Sequence, residues 1–262
     1  MRRFDRLEFE DRQQSAQTQL KHEPLARAED HDEHYWVKAA IDDRRNGLHE
    51  SALRHYSRAL EMDKSIVAGW VGQVQMLIAL AEYPEAELWS RKALELFKNN
   101  VDLLAARGQA LCRTGDLKNA QASCDAAINQ QGLNSFPWVA RGELMLARNE
   151  DIDVYCFDKA VQFDNDWLVL LEIGAIYLHY GRAAKGLQRT RAAVERAPDH
   201  AYCWYCQGVC ELALGMTGAA EKSFNHCLQV MPKHALARKS LDELRQNRGV
   251  MRGFLRRLFG SS

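Results

Sequence analysis

The residues with the most chemical potential in this chain are thiols and imidazoles. Cys203, Cys206 and Cys210 recur at spacings of three and four, which puts them on one face of a helix, with His226 and Cys227 a hairpin's length further on. Four thiolates suit zinc, so Cys203, Cys206, Cys210 and Cys227 form a weak metal candidate. Against it, zinc knuckles usually present paired cysteines from a turn, and cysteine is also a common small buried residue. His31-Asp32-Glu33-His34 holds metal-ligating types but reads more simply as an acidic entry segment. His49-Glu50 begins a zinc-protease-like pattern that fails at Leu53, where the second histidine should stand. No glycine-rich phosphate loop and no serine or cysteine nucleophile motif occurs. The expectation is a protein that is not an enzyme, with no metal and no cofactor.

Composition narrows the class further. The 262 residues are 47% hydrophobic and 27% charged, with only five prolines, which describes an ordered, helix-prone chain. Lys plus Arg (35) equals Asp plus Glu (35), so no global basic field argues for nucleic acid as a partner. Charge is nevertheless uneven: residues 1–34 carry more acid than base, while residues 233–262 hold eight Lys/Arg against Asp242 and Glu243. Met1-Arg2-Arg3-Phe4-Asp5 lacks the apolar core of a secretory signal, and no run approaches the roughly 18 apolar residues of a membrane span. Seven cysteines, an odd number without a framework spacing, point to a reducing compartment and a cytoplasmic location.

The elements that must position these residues announce themselves by repetition. Ala40, Val74, Gly108, Gly142, Gly174 and Gly208 are separated by 34, 34, 34, 32 and 34 residues. A large apolar side chain stands four residues before each: Trp36, Trp70, Leu104, Trp138, Leu170 and Trp204. A second small-residue series, Ala59, Ala93, Ala127, Ala160, Ala193 and Cys227, steps by 34, 34, 33, 33 and 34. A third, Ala52, Ala86, Ala120, Gly186 and Ala220, is complete except in the fourth unit. Within each unit the pattern is that of two helices joined at a turn: Asn46-Gly47, Tyr83-Pro84, Thr114-Gly115-Asp116, Tyr180-Gly181 or Leu214-Gly215. Small residues at matched positions let paired helices approach to the short end of the usual spacing of about 8–10 Å. Pro198 and Pro232 close the fifth and sixth units.

This pattern resembles the tetratricopeptide-repeat family, most clearly through Trp204, Gly208, Ala220, Phe224 and Pro232 of the sixth unit and Gly174, Tyr177, Ala193 and Pro198 of the fifth. The resemblance implies an all-α, right-handed superhelical solenoid of stacked helix-turn-helix hairpins. Six repeats are expected over residues 33–232, with units near 33–66, 67–100, 101–134, 135–166, 167–200 and 201–234. A charged extension (1–32), read as partly disordered, precedes them. A capping helix (235–247) follows, with Leu236, Leu241 and Leu244 inward, and then a basic amphipathic tail (248–262). Unit four is shorter by one residue in its internal turn and another in its exit turn near Asp164-Asn165-Asp166. That is either a tolerated loop shortening or a change of superhelical pitch.

The family resemblance also implies where a partner binds, namely a concave groove lined by the first helix of each unit. Matched positions give Val37, Ile41 and Arg44 in unit one and Val71, Gln75 and Ile78 in unit two. They give Gln109 and Arg113 in unit three, Phe136, Val139 and Glu143 in unit four, Leu171 and His179 in unit five, and Tyr202 and Tyr205 in unit six. Such a lining suits a peptide or amphipathic helix of another protein. Val37 and Ile41 stand where the family's chaperone-tail clamp needs Lys and Asn, so chaperone C-termini are not expected as partners. The tail offers a second reading: Arg252, Phe254, Leu255, Arg256, Leu258 and Phe259 make adjoining apolar and basic stripes on a helix. Those stripes fit an interfacial helix on anionic lipid, a partner-inserted tail, or a segment folded back on the last repeat. The expected function is a non-catalytic adaptor assembling a multiprotein complex, with a membrane-recruited assembly factor as the alternative.

Overall fold

The computed structural model describes residues 32–246 apart from 131 and 133. Residues 1–31 of the N-terminal extension and the whole amphipathic tail lie outside the described residues, including Arg252, Phe254, Leu255, Arg256, Leu258 and Phe259. The described residues form an α-solenoid. Its helices are α1 (Glu33–Arg45), α2 (His49–Met62), α3 (Val67–Ala79), α4 (Tyr83–Leu96), α5 (Val101–Thr114) and α6 (Leu117–Ile128), then α7 (Ser135–Ala147), α8 (Asp153–Phe163), α9 (Trp167–His179), α10 (Ala183–Arg196), α11 (Ala201–Ala213) and α12 (Thr217–Val230). A further helix, α13, covers 235–246. Consecutive helices pair as six hairpins, and each hairpin stacks on the next.

The three phased series are the contact surfaces of these hairpins, and their members are buried. Two of the glycines admit an aromatic ring: a Cβ on Gly142 would stand 2.5 Å from the Phe157 ring, and one on Gly208 would stand 2.6 Å from that of Phe224. Side chains cap many of the first helices. Asp32, Asn100, Asn134 and Asp166 accept hydrogen bonds from the N–H groups of Tyr35, Leu103, Phe136 and Leu168.

Every hairpin turns the same way. Gly47, Ala81, Gly115, Asn149, Gly181 and Gly215 all have positive φ, between 57° and 86°. The next residue's N–H reaches back to a carbonyl five positions earlier, as in Leu48 to Asp43, Glu82 to Leu77 and Met216 to Glu211. This is the Schellman closure, and it satisfies carbonyls that the end of the first helix would otherwise orphan. In unit two the turning residue is therefore Ala81. Tyr83-Pro84 instead opens α4, where proline's missing N–H costs nothing.

Unit four departs in a specific way. Asp153 occupies the position that is Ala or Gly in the other five units, and α8 begins there, later than its counterparts. The carboxylate is 2% exposed and accepts from the Tyr177 hydroxyl at 2.7 Å and from Lys185 Nζ at 2.9 Å. Phe157 and Tyr177 meet edge to face at 5.1 Å, and their rings fill the space between α8 and α9. These two helices approach far less closely than the helices at the other unit junctions, so the step from unit four to unit five is the loosest in the stack. In α13 the inward stripe is Ala237, Leu241 and Leu244, each less than 9% exposed, whereas Leu236 is 46% exposed. Leu236 is one position off the spacing of four and three that faces the core, and this corrects its expected orientation.

Candidate protein-binding groove

The first helices of the hairpins (α1, α3, α5, α7, α9 and α11) carry the residues that line the inside of the solenoid. There they surround a cavity of about 380 Å³. Ten of the residues expected in the groove line it: Arg44, Gln75, Ile78, Gln109, Arg113, Phe136, Val139, Leu171, His179 and Tyr202. Ile41 and Val71 line an adjoining lobe of about 610 Å³ that shares Arg44, Gln75, Phe136, Val139, Leu168 and Glu172 with the first. Three other expected residues line neither lobe. Val37 packs on the core of the first three units. Tyr205 stacks on Tyr202 at 6.2 Å and packs against Phe224 and His234. Glu143 is fully buried.

Glu143 holds the polar centre of the solenoid together. It accepts from Gln109 Nε2 at 2.8 Å, from the Arg113 guanidinium and from the Tyr180 hydroxyl at 3.3 Å. Arg113 in turn lies 5.9 Å from the Tyr83 ring centroid and 5.6 Å from that of Tyr180. An isolated carboxylate at this depth would be strongly unfavourable, so the partners from α5 and from the turn after α9 are what allow it there. Burial, with Glu143 beside it, raises the Tyr180 hydroxyl above its ordinary range and keeps it a donor. Gln109, Arg113 and Glu143 thus lock α5 to α7.

The remaining polar lining is neutral or paired. Burial, with Arg44 nearby, pushes the His49 imidazole down to about 4. His179 is lowered too, by burial and then by Arg113. Arg44 pairs with Glu172. Between these groups the wall is aliphatic and aromatic: Ile78, Phe136, Val139, Leu168, Leu171, Ile176 and Leu178. The chemistry such a surface offers is burial of apolar groups with a few hydrogen bonds at its edge.

Several lining residues escaped the sequence reading, among them His49, Tyr83 and Glu172. Glu172 had a visible signal, being the only carboxylate in the otherwise apolar α9. His49 and Tyr83 begin second helices, outside the positions the repeat pattern singles out. The cysteines serve different packing surfaces: Cys203 belongs to the core between units five and six, while Cys227 belongs to that of unit six and α13. Among the described residues no group of three or more His, Cys, Asp or Glu is placed to hold a metal ion. Burial raises the Cys203 and Cys227 thiols to about 12, so both stay protonated at neutral pH.

Helical hairpins repeating at 34 residues around a concave lining define a tetratricopeptide-type solenoid. No known protein-family profile matches the chain, and no curated protein matches it in sequence. Similar solved structures include the APC/C hetero-tetramer Cut9-Hcn1, at 14% identity and a TM-score of 0.48 over 81% of this chain and 43% of that one. The chain thus spans less than half of that relative's length. A tetratricopeptide repeat protein from Parabacteroides merdae ATCC 43184 is 17% identical, with a TM-score of 0.47 over 81% and 84% of the two chains. YrrB, described as a TPR protein with an unusual peptide-binding site, is 20% identical, with a TM-score of 0.40 over 71% and 96%. Among the described residues no helix is long and apolar enough to cross a membrane.

Proposed function

We propose that the protein is a non-catalytic adaptor that holds a peptide or amphipathic-helix segment of another protein in its concave groove and so assembles a complex. The observation that carries this reading is the inner cavity of about 380 Å³, whose wall is mostly apolar and is built by helices from every unit of the array. Apolar surface left facing inward in an otherwise well-packed solenoid is surface that a partner's side chains would remove from water. The buried Arg113–Glu143 network supports the reading as well, because it fixes the positions of α5 and α7 before any partner arrives.

Ala175 offers a clean test, since it lines the cavity yet is exposed, so a longer polar side chain fits there without disturbing the core. Affinity-tagged protein carrying Ala175→Glu is expected to lose the partners captured by the parent while its circular dichroism and melting temperature stay unchanged. Capture of the same partners by the folded variant would place the binding surface elsewhere.

A further inference from the structure

We propose that the groove has a built-in clasp: side chains of the first unit close the array onto units five and six, and a partner enters when this clasp opens. The inference rests on the reading of the groove as the partner site and concerns how access to it is controlled.

Five residue pairs, each more than 100 positions apart, make the closure. Arg44, at the end of α1, donates from Nε to Glu172 Oε1 of α9 at 3.1 Å, and its Nη2 donates to the same oxygen. Arg45 grips both oxygens of Asp166, from Nη1 at 2.9 Å and Nη2 at 3.3 Å. Its guanidinium also lies 4.5 Å from the Trp167 ring centroid. The Tyr202 ring of α11 packs on the turn of unit one, where an ideal Cβ on Gly47 would stand 2.2 Å from it, and the Tyr202 hydroxyl is 3.4 Å from His49 Nε2. Gly47 therefore serves twice, supplying the positive φ of the turn and the bare backbone on which the ring rests. Arg44, His49, Glu172 and Tyr202 are themselves part of the cavity wall, so the clasp shuts the space it borders.

The closure is also built to open. Helix packing on the scale seen within and between hairpins does not join α1 or α2 to α9 or α11, so the closure rests on a few side chains and the turn at Gly47. Both ion pairs are partly exposed, with Arg44 and Glu172 at 20% and 29% and Arg45 and Asp166 both at 32%, so salt can screen them. The loosely packed step between units four and five lies between the two jaws and supplies a hinge. A two-state element of this kind responds to any ligand that binds the open form better than the closed one.

The test uses a reporter inside the cavity and needs no partner. Ala175→Cys is labelled with N-ethylmaleimide and with a 5-kDa polyethylene-glycol maleimide, the rate of the parent's own cysteines being subtracted. Arg44→Glu with Arg45→Glu sets like charges against Glu172 and Asp166. It is expected to speed the bulky reagent by about tenfold, as about 1.4 kcal/mol of lost closure would, to leave the small reagent unchanged, and to raise the radius of gyration in solution scattering. Adding Glu172→Arg and Asp166→Arg restores opposite charges, and both readings should return toward the parent. High salt should act on the parent as the charge reversal does. Equal bulky-reagent rates and equal radii in the parent and the reversed variant would overturn the clasp, as would failure of the four-residue exchange to restore them. Capture of the parent's partners by the Ala175→Glu protein would instead remove the groove as the partner site and leave these rates untouched, so the two failures are separable.

Discussion

His49 shows how one side chain ties stability to pH. Its imidazole is held down at about 4 by burial and the neighbouring Arg44, against about 6.5 in an unfolded chain. The folded protein therefore prefers the neutral ring, and the unfolded chain binds the proton more readily between these values. Its contribution is complete above about pH 6.5 and is lost as pH falls toward 4, amounting to about 3 kcal/mol at most. His179, His200 and His234 are lowered as well, each chiefly by burial, and act in the same direction. Melting temperature measured from pH 7.5 to 4.5 should fall, and His49→Gln should flatten the largest part of that fall. An unchanged slope in the variant would assign the acid sensitivity to the other histidines.

At the scale of the element, the hairpin turn is the unit on which the whole array depends. Four of the six turning residues are glycine, and Asn149 is a residue that tolerates positive φ, but Ala81 at φ 62° carries a Cβ where the left-handed region resists one. Ala81→Gly is expected to stabilise the protein by about 0.5–1 kcal/mol. Gly115→Ala should destabilise it through backbone strain alone, because nothing lies within 4 Å of a Cβ there. Thermal melts of the two variants should move in opposite directions. The hairpins were legible in advance because their contact surfaces repeat: Ala52, Ala59 and their equivalents must be small wherever two helices touch. Asp153 was not, since a buried carboxylate at a small-residue position depends on Tyr177 and Lys185 of the following unit, and no periodicity encodes such a pairing. The same limit hid Glu143's role: its spacing marked it as groove lining, but its three partners turn it into an internal brace.

For the whole molecule, the groove positions came from the repeat register, which is why ten of them meet around one cavity. The contact of unit one with units five and six had no such register to reveal it, because Arg45 and Asp166 are 121 positions apart and belong to different places in the repeat. A stack of hairpins interacting only with neighbours has independent ends, whereas the clasp couples them. The proposed binding of a partner on the inside of this array is tested most directly by a photocrosslinking amino acid in living cells. Placed at Ala175, inside the cavity, it should give discrete adducts with other proteins, whereas at Tyr155, on α8 and 56% exposed, it should give none. Adducts from Tyr155 with none from Ala175 would contradict the account.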